Sequence, residues 1–303
     1  MRVGVSVRTS FATGDPTVGP RSIIAQAQAA GRAGLDVLAV GDHHGTGPTS
    51  YFQNVPTLGR LLAEWGSRPV GCLFIVPMWH PVLMAEQIAT LAALAAGPFV
   101  VQTGVGDVES ESKAMGAPIS QRGRRIEEGL RIAQALLRGE EASSAMWGVE
   151  HARVAPLPPR GVEWWMGATV EVAVDRAARL GDCWYGNADL TPRTAAEVLD
   201  RYHHACARHG RVPVRVPIRK DVLIAESRAE AEKAGDALMA AGYRGFDRDA
   251  VAYGDPDSVT EQLLVYRELG FTDIMVRPMT ATPDGAARSV ELAGEVRARL
   301  AAW

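Results

Sequence analysis

Strand-like and helix-like signals alternate along almost the whole chain, and that alternation is the strongest constraint on its fold. Apolar runs of strand length stand at 3–7, 35–40, 70–76, 99–103, 162–166, 182–185, 214–225 and 271–276. Stretches of helical composition follow most of them, at 21–32, 56–65, 81–96, 124–137, 170–180, 194–208, 227–241, 259–269 and 286–301. Repeated strand–helix units predict a parallel sheet covered by helices. Eight strand signals in 303 residues fit a (β/α)8 TIM barrel with loop insertions, read as a single domain over 1–303. An open doubly wound sheet is the second reading. It calls for a Gly-rich loop straight after the first strand, but that strand runs into Arg8-Thr9-Ser10-Phe11 and no GxGxxG follows. The segment 143–159, with Trp147, Gly148 and three prolines, reads as an excursion with hairpin character rather than a domain boundary.

Composition narrows the partners. Hydrophobic residues at 47% against 22% charged give enough apolar surface for a large core. Lys+Arg 32 nearly balances Asp+Glu 35, so neither nucleic acid nor an anionic membrane is expected as a partner. The one tight basic run, Arg122-Gly123-Arg124-Arg125, opens a helix and reads as a solvated face. Cys72, Cys183 and Cys206 are far apart and form no CxxC, which fits a reducing compartment. The alternating N-terminus lacks a signal peptide's apolar centre. A soluble, cytoplasmic protein is expected.

In a barrel the chemistry collects where strands end. The polar residues that fall there are Asp42-His43-His44, Trp79-His80, Thr103-Gly104-Val105-Gly106-Asp107 with Glu109 and Glu111 behind, Gly167-Ala168-Thr169, Tyr185-Gly186-Asn187 and Arg277. Adjacent His43 and His44 cannot both point inward from one extended segment. No HExxH or Cys pair is present, so no metal is expected. There is no GxSxG, and Cys72 lies within an apolar strand. A histidine beside an acid can hold a proton at neutral pH, although Asp and Gly are also ordinary turn residues. Gly167-Ala168-Thr169 precedes a helix, where free N–H groups suit a phosphate or an ordinary cap.

Several longer stretches carry a resemblance: GLDVLAVGDHH (34–44), HPVLMAEQIATLAALAAGPFVVQTGVG (80–106), Glu111 through Met115-Gly116, RGRRIEEGLRIAQALLRGE (122–140), VEWWMGATVEVAVDRAARLGDCWYG (162–186) and GDPDSVTEQLLVYRELGFTDIMV (254–276). In this order they resemble the luciferase-like superfamily of flavin- and deazaflavin-dependent oxidoreductases. The resemblance implies a TIM-like barrel with a planar redox ring at its mouth. It makes His43, oriented by Asp42, the proton donor or hydrogen-bond partner at the ring's reactive edge, and gives Asp107 the place of a catalytic carboxylate. It puts Leu73 and Phe74 behind the ring, through a bulge or a non-proline cis peptide. It passes the cofactor's side chain over Thr103, Gly104, Val105 and Gly106, and seats the phosphate at Gly167, Ala168 and Thr169. The stretch 102–106 has no arginine for an FMN phosphate, which favours coenzyme F420, a deazaflavin, while His43-His44 and Ala85-Glu86-Gln87 keep FMN as the alternative. The implied reaction is hydride transfer between reduced deazaflavin and a small organic substrate. The alternatives are an FMN monooxygenase using O2 and a non-enzymatic carrier of the ring. A homodimer is expected by analogy. Substrate choice falls to loops such as 46–53 and 143–159; Tyr51, Phe52, Trp79 and Trp147 suit an apolar or ring-bearing substrate and equally a dimer contact.

Overall fold

The computed structural model describes residues 1–12, 14–280 and 282–302. Nine strands make one parallel sheet: β1 (Arg2–Val7), β2 (Leu38–Val40), β3 (Val70–Ile75), β4 (Phe99–Gly104), β5 (Glu163–Gly167), β6 (Cys183–Tyr185), β7 (Pro217–Ile224), β8 (Val251–Gly254) and β9 (Asp273–Pro278). Their order is β6-β5-β4-β3-β2-β1-β9-β7-β8. Among the described residues ten α-helices accompany them: α1 (Val18–Arg32), α2 (Asn54–Trp65), α3 (Pro81–Leu94), α4 (Glu109–Ala114), α5 (Arg122–Leu137), α6 (Glu171–Leu180), α7 (Pro192–Arg208), α8 (Arg228–Ala240), α9 (Pro256–Glu268) and α10 (Pro283–Ala302). Ser227 caps α8 as its position predicts, its hydroxyl accepting the Glu230 N–H.

Side chains alternate across each strand, and the burial pattern follows. Val3, Val5, Val7, Leu38, Val40, Cys72, Phe74 and Val101 pack with helix residues in the larger core. Val37, Ala39, Val100, Trp165, Cys183, Tyr185 and Met275 form a second cluster to which no helix contributes, on the sheet's inner face. The sheet curls until its distant strands meet. The Gly186 N–H donates to the Pro217 carbonyl at 2.9 Å and the Arg219 N–H to the Gly186 carbonyl at 3.0 Å, and parallel bridges pair Cys183 with Arg215 and Gly186 with Ile218. The result is a large curled parallel sheet with all its carboxyl ends along one edge. No described helix is long and apolar enough to cross a membrane.

Three details differ from expectation. β8 was not foreseen: it pairs with Asp221–Ile224 of β7, beyond the stretch that faces β6. The expected long strand at 214–225 begins at Pro217, where a missing N–H is tolerated. At Leu73-Phe74 neither a bulge nor a cis peptide occurs. Leu73 pairs with Gln102 and Phe74 with Thr103 in unbroken register, and the cis bonds among the described residues are Gly47-Pro48 and Ala155-Pro156. The excursion at 143–159 does hold a hairpin, Ala142–Ser144 against Val149–Ala152.

Candidate functional site

A cavity of about 350 Å3 opens at the carboxyl edge. Its lining includes Asp42 and His43 after β2, Leu73 on β3, Glu111 on α4, Arg219 on β7, Arg277 on β9 and Arg244.

The acid and the two histidines after β2 divide their roles differently from the sequence reading. Asp42 does not orient His43. It is fully buried, and its Oδ2 accepts the Ile75 N–H at 2.7 Å and the Trp79 indole N–H at 2.8 Å. Its Oδ1 lies 3.1 Å from His44 Nε2, at ion-pair distance, though neither atom has a hydrogen-bond partner. The reason is alternation: residues two apart in extended backbone share a side, whereas neighbours diverge. Burial works against a charged His44, but Asp42 beside it and Glu111 further off outweigh burial and raise its pKa above the ordinary histidine value.

His43 turns the other way and meets Glu111. Its Nδ1 is 2.9 Å and 3.0 Å from the two carboxylate oxygens, and Glu111 Oε2 also lies 3.4 Å from the His44 N–H. A carboxylate against Nδ1 favours the tautomer that donates there, which leaves Nε2 as the free ring nitrogen. The His43 side chain is 41% exposed, whereas that of Glu111 is 9% exposed. Tyr51 packs its ring edge against His43 at 5.1 Å, and burial pushes its phenol up to about 12. Gly41 is needed at this corner, since a Cβ there would sit 2.7 Å from the Tyr51 hydroxyl.

Of the other sequence-derived residues only Leu73 lines the cavity; Phe74, Thr103 to Gly106, Asp107 and Gly167 to Thr169 lie outside its lining. Phe74 is buried in the helix-side core and meets Trp79 edge-on at 5.1 Å; one step along a strand changes the face. Asp107 is exposed and does not line the cavity, so the carboxylate brought to the histidine is Glu111. Gly104 opens onto free space, and Gly106, at φ +69°, lies so close to Ile75 that a Cβ would be 2.8 Å from its Cγ2. Val105 packs against the core. Thr103 Oγ1 and Gln102 Nε2 are buried without partners. Gly167 ends β5. The Ala168 carbonyl takes the Trp184 indole N–H at 2.8 Å, and the Thr169 carbonyl takes an Arg201 N–H at 3.4 Å. Among the described residues no group of three His, Cys, Asp or Glu side chains could hold a metal ion.

Beside the cavity arginines, Asp221 is buried and gathers cations. It accepts from Arg219 Nε at 3.1 Å and from the Tyr243 hydroxyl at 2.9 Å. Burial works against its charge, but Arg219, Arg277 and Arg244 hold its pKa below the usual aspartate value. Sequence reasoning placed Arg277 at a strand end but missed Arg219, Arg244, Asp221 and Tyr243. A polar Arg219-Lys220-Asp221 inside an otherwise apolar strand was the available signal.

A curled parallel sheet with a histidine–carboxylate pair at its carboxyl edge defines a class of α/β enzymes that work at strand ends. The model of the family described as luciferase-like monooxygenase matches residues 1–249. The chain belongs to this family, a family of oxidoreductases. It is 27% identical over 327 residues to the F420-dependent glucose-6-phosphate dehydrogenase of Beutenbergia cavernae, covering 93% of this chain and 94% of that one. It is 26% identical over 217 residues to the FMNH2-dependent dimethylsulfone monooxygenase of Pseudomonas fluorescens, covering 70% and 58%. The chain spans 40% of the length of uncharacterized Mycobacterium tuberculosis proteins that it matches at 28% identity over 116 residues, or 38% of this chain. In fold it is similar to an F420-dependent secondary alcohol dehydrogenase solved with an F420-acetone adduct, with a TM-score of 0.80, 14% identity and coverage of 97% and 98%.

Proposed function

We propose that the curled sheet is the wall of a closed (β/α)8 barrel, joined where β6 meets β7, and that its mouth holds coenzyme F420. The residues present suit a flat polar ring. Gly41 lines the cavity without a side chain, Gly104 faces open space, and Gln102 Nε2 and Thr103 Oγ1 are unpartnered at the end of β4. Gly104 to Gly106 would pass the coenzyme's side chain, and Gly167 to Thr169, ahead of α6, would take its phosphate.

The coenzyme supplies the electron pair; the chain supplies position and the proton. His43, held at Nδ1 by the Glu111 carboxylate, takes up a second proton at Nε2, and this imidazolium would give that Nε2 proton to the substrate atom that gains it, returning to the neutral ring protonated at Nδ1. Glu111 stabilises the ring while it is charged and fixes its direction. Asp42 is a positioning residue: it locks His44, Trp79 and the end of β3 around that pair. The observation that carries this reading is the His43–Glu111 pair, buried on the carboxylate side and open on the ring side. The reading includes one domain over 1–303, a small-molecule substrate, and a cytoplasmic homodimer.

The alternative is FMN with O2 as co-substrate, supported by the Pseudomonas monooxygenase relative. Stopped-flow reoxidation of bound reduced coenzyme tests the proposal. Substrate-dependent, oxygen-independent reoxidation that slows at least about 100-fold in His43→Ala supports it; reoxidation by oxygen alone favours FMN chemistry, and an unchanged rate in the variant removes His43 from the reaction.

A further inference from the structure

Three arginines of the cavity lining crowd around a single carboxylate. They are Arg219, Arg244 and Arg277, and the carboxylate among them is Asp221. Arg219 pairs with Asp221 at 3.1 Å, Arg244 Nη1 stands off at 3.8 Å, and Arg277 reaches the Ser10 hydroxyl at 3.4 Å. Arg8, close by, is engaged with the Met279 and Thr280 carbonyls. Burial first, then Arg219 and Arg277, lower the Arg244 pKa; burial and Arg277 lower that of Arg8. Cations crowded in this way repel one another, and an anion between them relieves the repulsion. Arg244 also sits in the turn Tyr243–Gly245 at φ +50°, a left-handed conformation that a side-chain-bearing residue avoids unless its surroundings hold it.

The geometry points to Arg219, Arg244 and Arg277 as the seat of an oxyanion on the substrate, a carboxylate or a phosphate, in the cavity that His43 also lines. This rests on the reading of the cavity as the redox site. On that reading the coenzyme's phosphate lies at Gly167 to Thr169, at the end of β5, with β6 between it and β7. The arginines are therefore left for the substrate, whose planar anion they can grip in paired hydrogen bonds. The substrate class is a small anionic molecule whose reacting carbon lies at the other end, toward His43.

The test is an equilibrium titration of the full chain, with and without coenzyme, using inorganic phosphate and acetate at low ionic strength, with sodium chloride as the control. Wild type, Arg244→Gln, Arg277→Gln and Asp221→Asn are compared. Arg219 is left intact because it neutralises buried Asp221. We expect phosphate or acetate to bind one per chain, the preferred probe naming the anion. Each arginine substitution should weaken that binding about tenfold or more. Asp221→Asn should tighten it severalfold, a gain that structural damage does not produce. Coenzyme affinity should stay within about twofold in all variants, a small change on the affinity scale. Anion binding no stronger than chloride, or unchanged in both arginine variants, would overturn the assignment. So would coenzyme affinity that falls in step with anion affinity, since the cluster would then serve the coenzyme. Failure of wild type to bind either coenzyme would instead overturn the redox reading, while the anion titration still decides the cluster.

Discussion

Replacing Asp42 by alanine separates positioning from chemistry. The substitution strips the acceptor from two donors, the Ile75 N–H and the Trp79 indole N–H, held at 2.7 Å and 2.8 Å. Asp42 itself is fully buried, so water does not replace it freely. An orphaned buried donor costs about 1–3 kcal/mol, so the pair costs roughly 2–6 kcal/mol. For a chain of this size that is a fall in Tm of roughly 5–20 °C, at about 2–4 °C per kcal/mol. Asp42→Asn, which keeps an acceptor oxygen, should lose under about 2 kcal/mol. Urea unfolding followed by tryptophan fluorescence measures both. The reasoning is refuted if Asp42→Ala keeps wild-type stability within about 1 kcal/mol while losing more turnover than Glu111→Gln. Asp42 would then belong to the reaction and not to the frame.

Other consequences follow from the same contacts. Glu111→Gln replaces a charge-assisted hydrogen bond with a neutral one and should lower kcat about 10–100-fold, with coenzyme Kd little changed in a binding titration. Gly41→Ala puts a Cβ 2.7 Å from the Tyr51 hydroxyl; because that atom is the far end of a side chain, turnover should fall more than stability, which should drop by under about 1.5 kcal/mol. Lys220 is buried and donates to the Ala188 and Leu190 carbonyls, and burial pushes its ammonium down to about 7. With the folded pKa below the unfolded one, the unfolded chain holds an extra proton between about pH 7 and the ordinary lysine value of about 10.4. Stability should therefore rise with pH across that window, by a few kcal/mol at most, and Lys220→Met should flatten the slope in urea melts.

The fold was largely legible because strands buried on both faces, such as Val3–Val7 or Val70–Ile75, read as short apolar runs, and the helices between them carry clear start and stop residues. β8 was not legible: Val-Ala-Tyr-Gly is short and runs straight into the turn signal Asp255-Pro256. At the site, local sequence gave the Asp42-His43 neighbourhood but not the pairing. His43 meets a carboxylate 68 positions away, and only the docking of α4 decides that this is Glu111 and not Asp107. Phe74 shows the same limit on a smaller scale, since the choice between adjacent residues depends on which face of β3 turns inward. The arginines come from β7 (Arg219), a turn (Arg244) and β9 (Arg277), and no local pattern joins them.

The central claim is that the carboxyl-edge cavity receives a planar redox coenzyme, and a side-by-side equilibrium titration with F420 and FMN tests it most directly. Saturable one-per-chain binding of F420, tighter than FMN, is expected, with loss of that binding when Gly104→Trp fills the open space at the end of β4. Equal indifference to both coenzymes, or F420 binding untouched by Gly104→Trp, would contradict it.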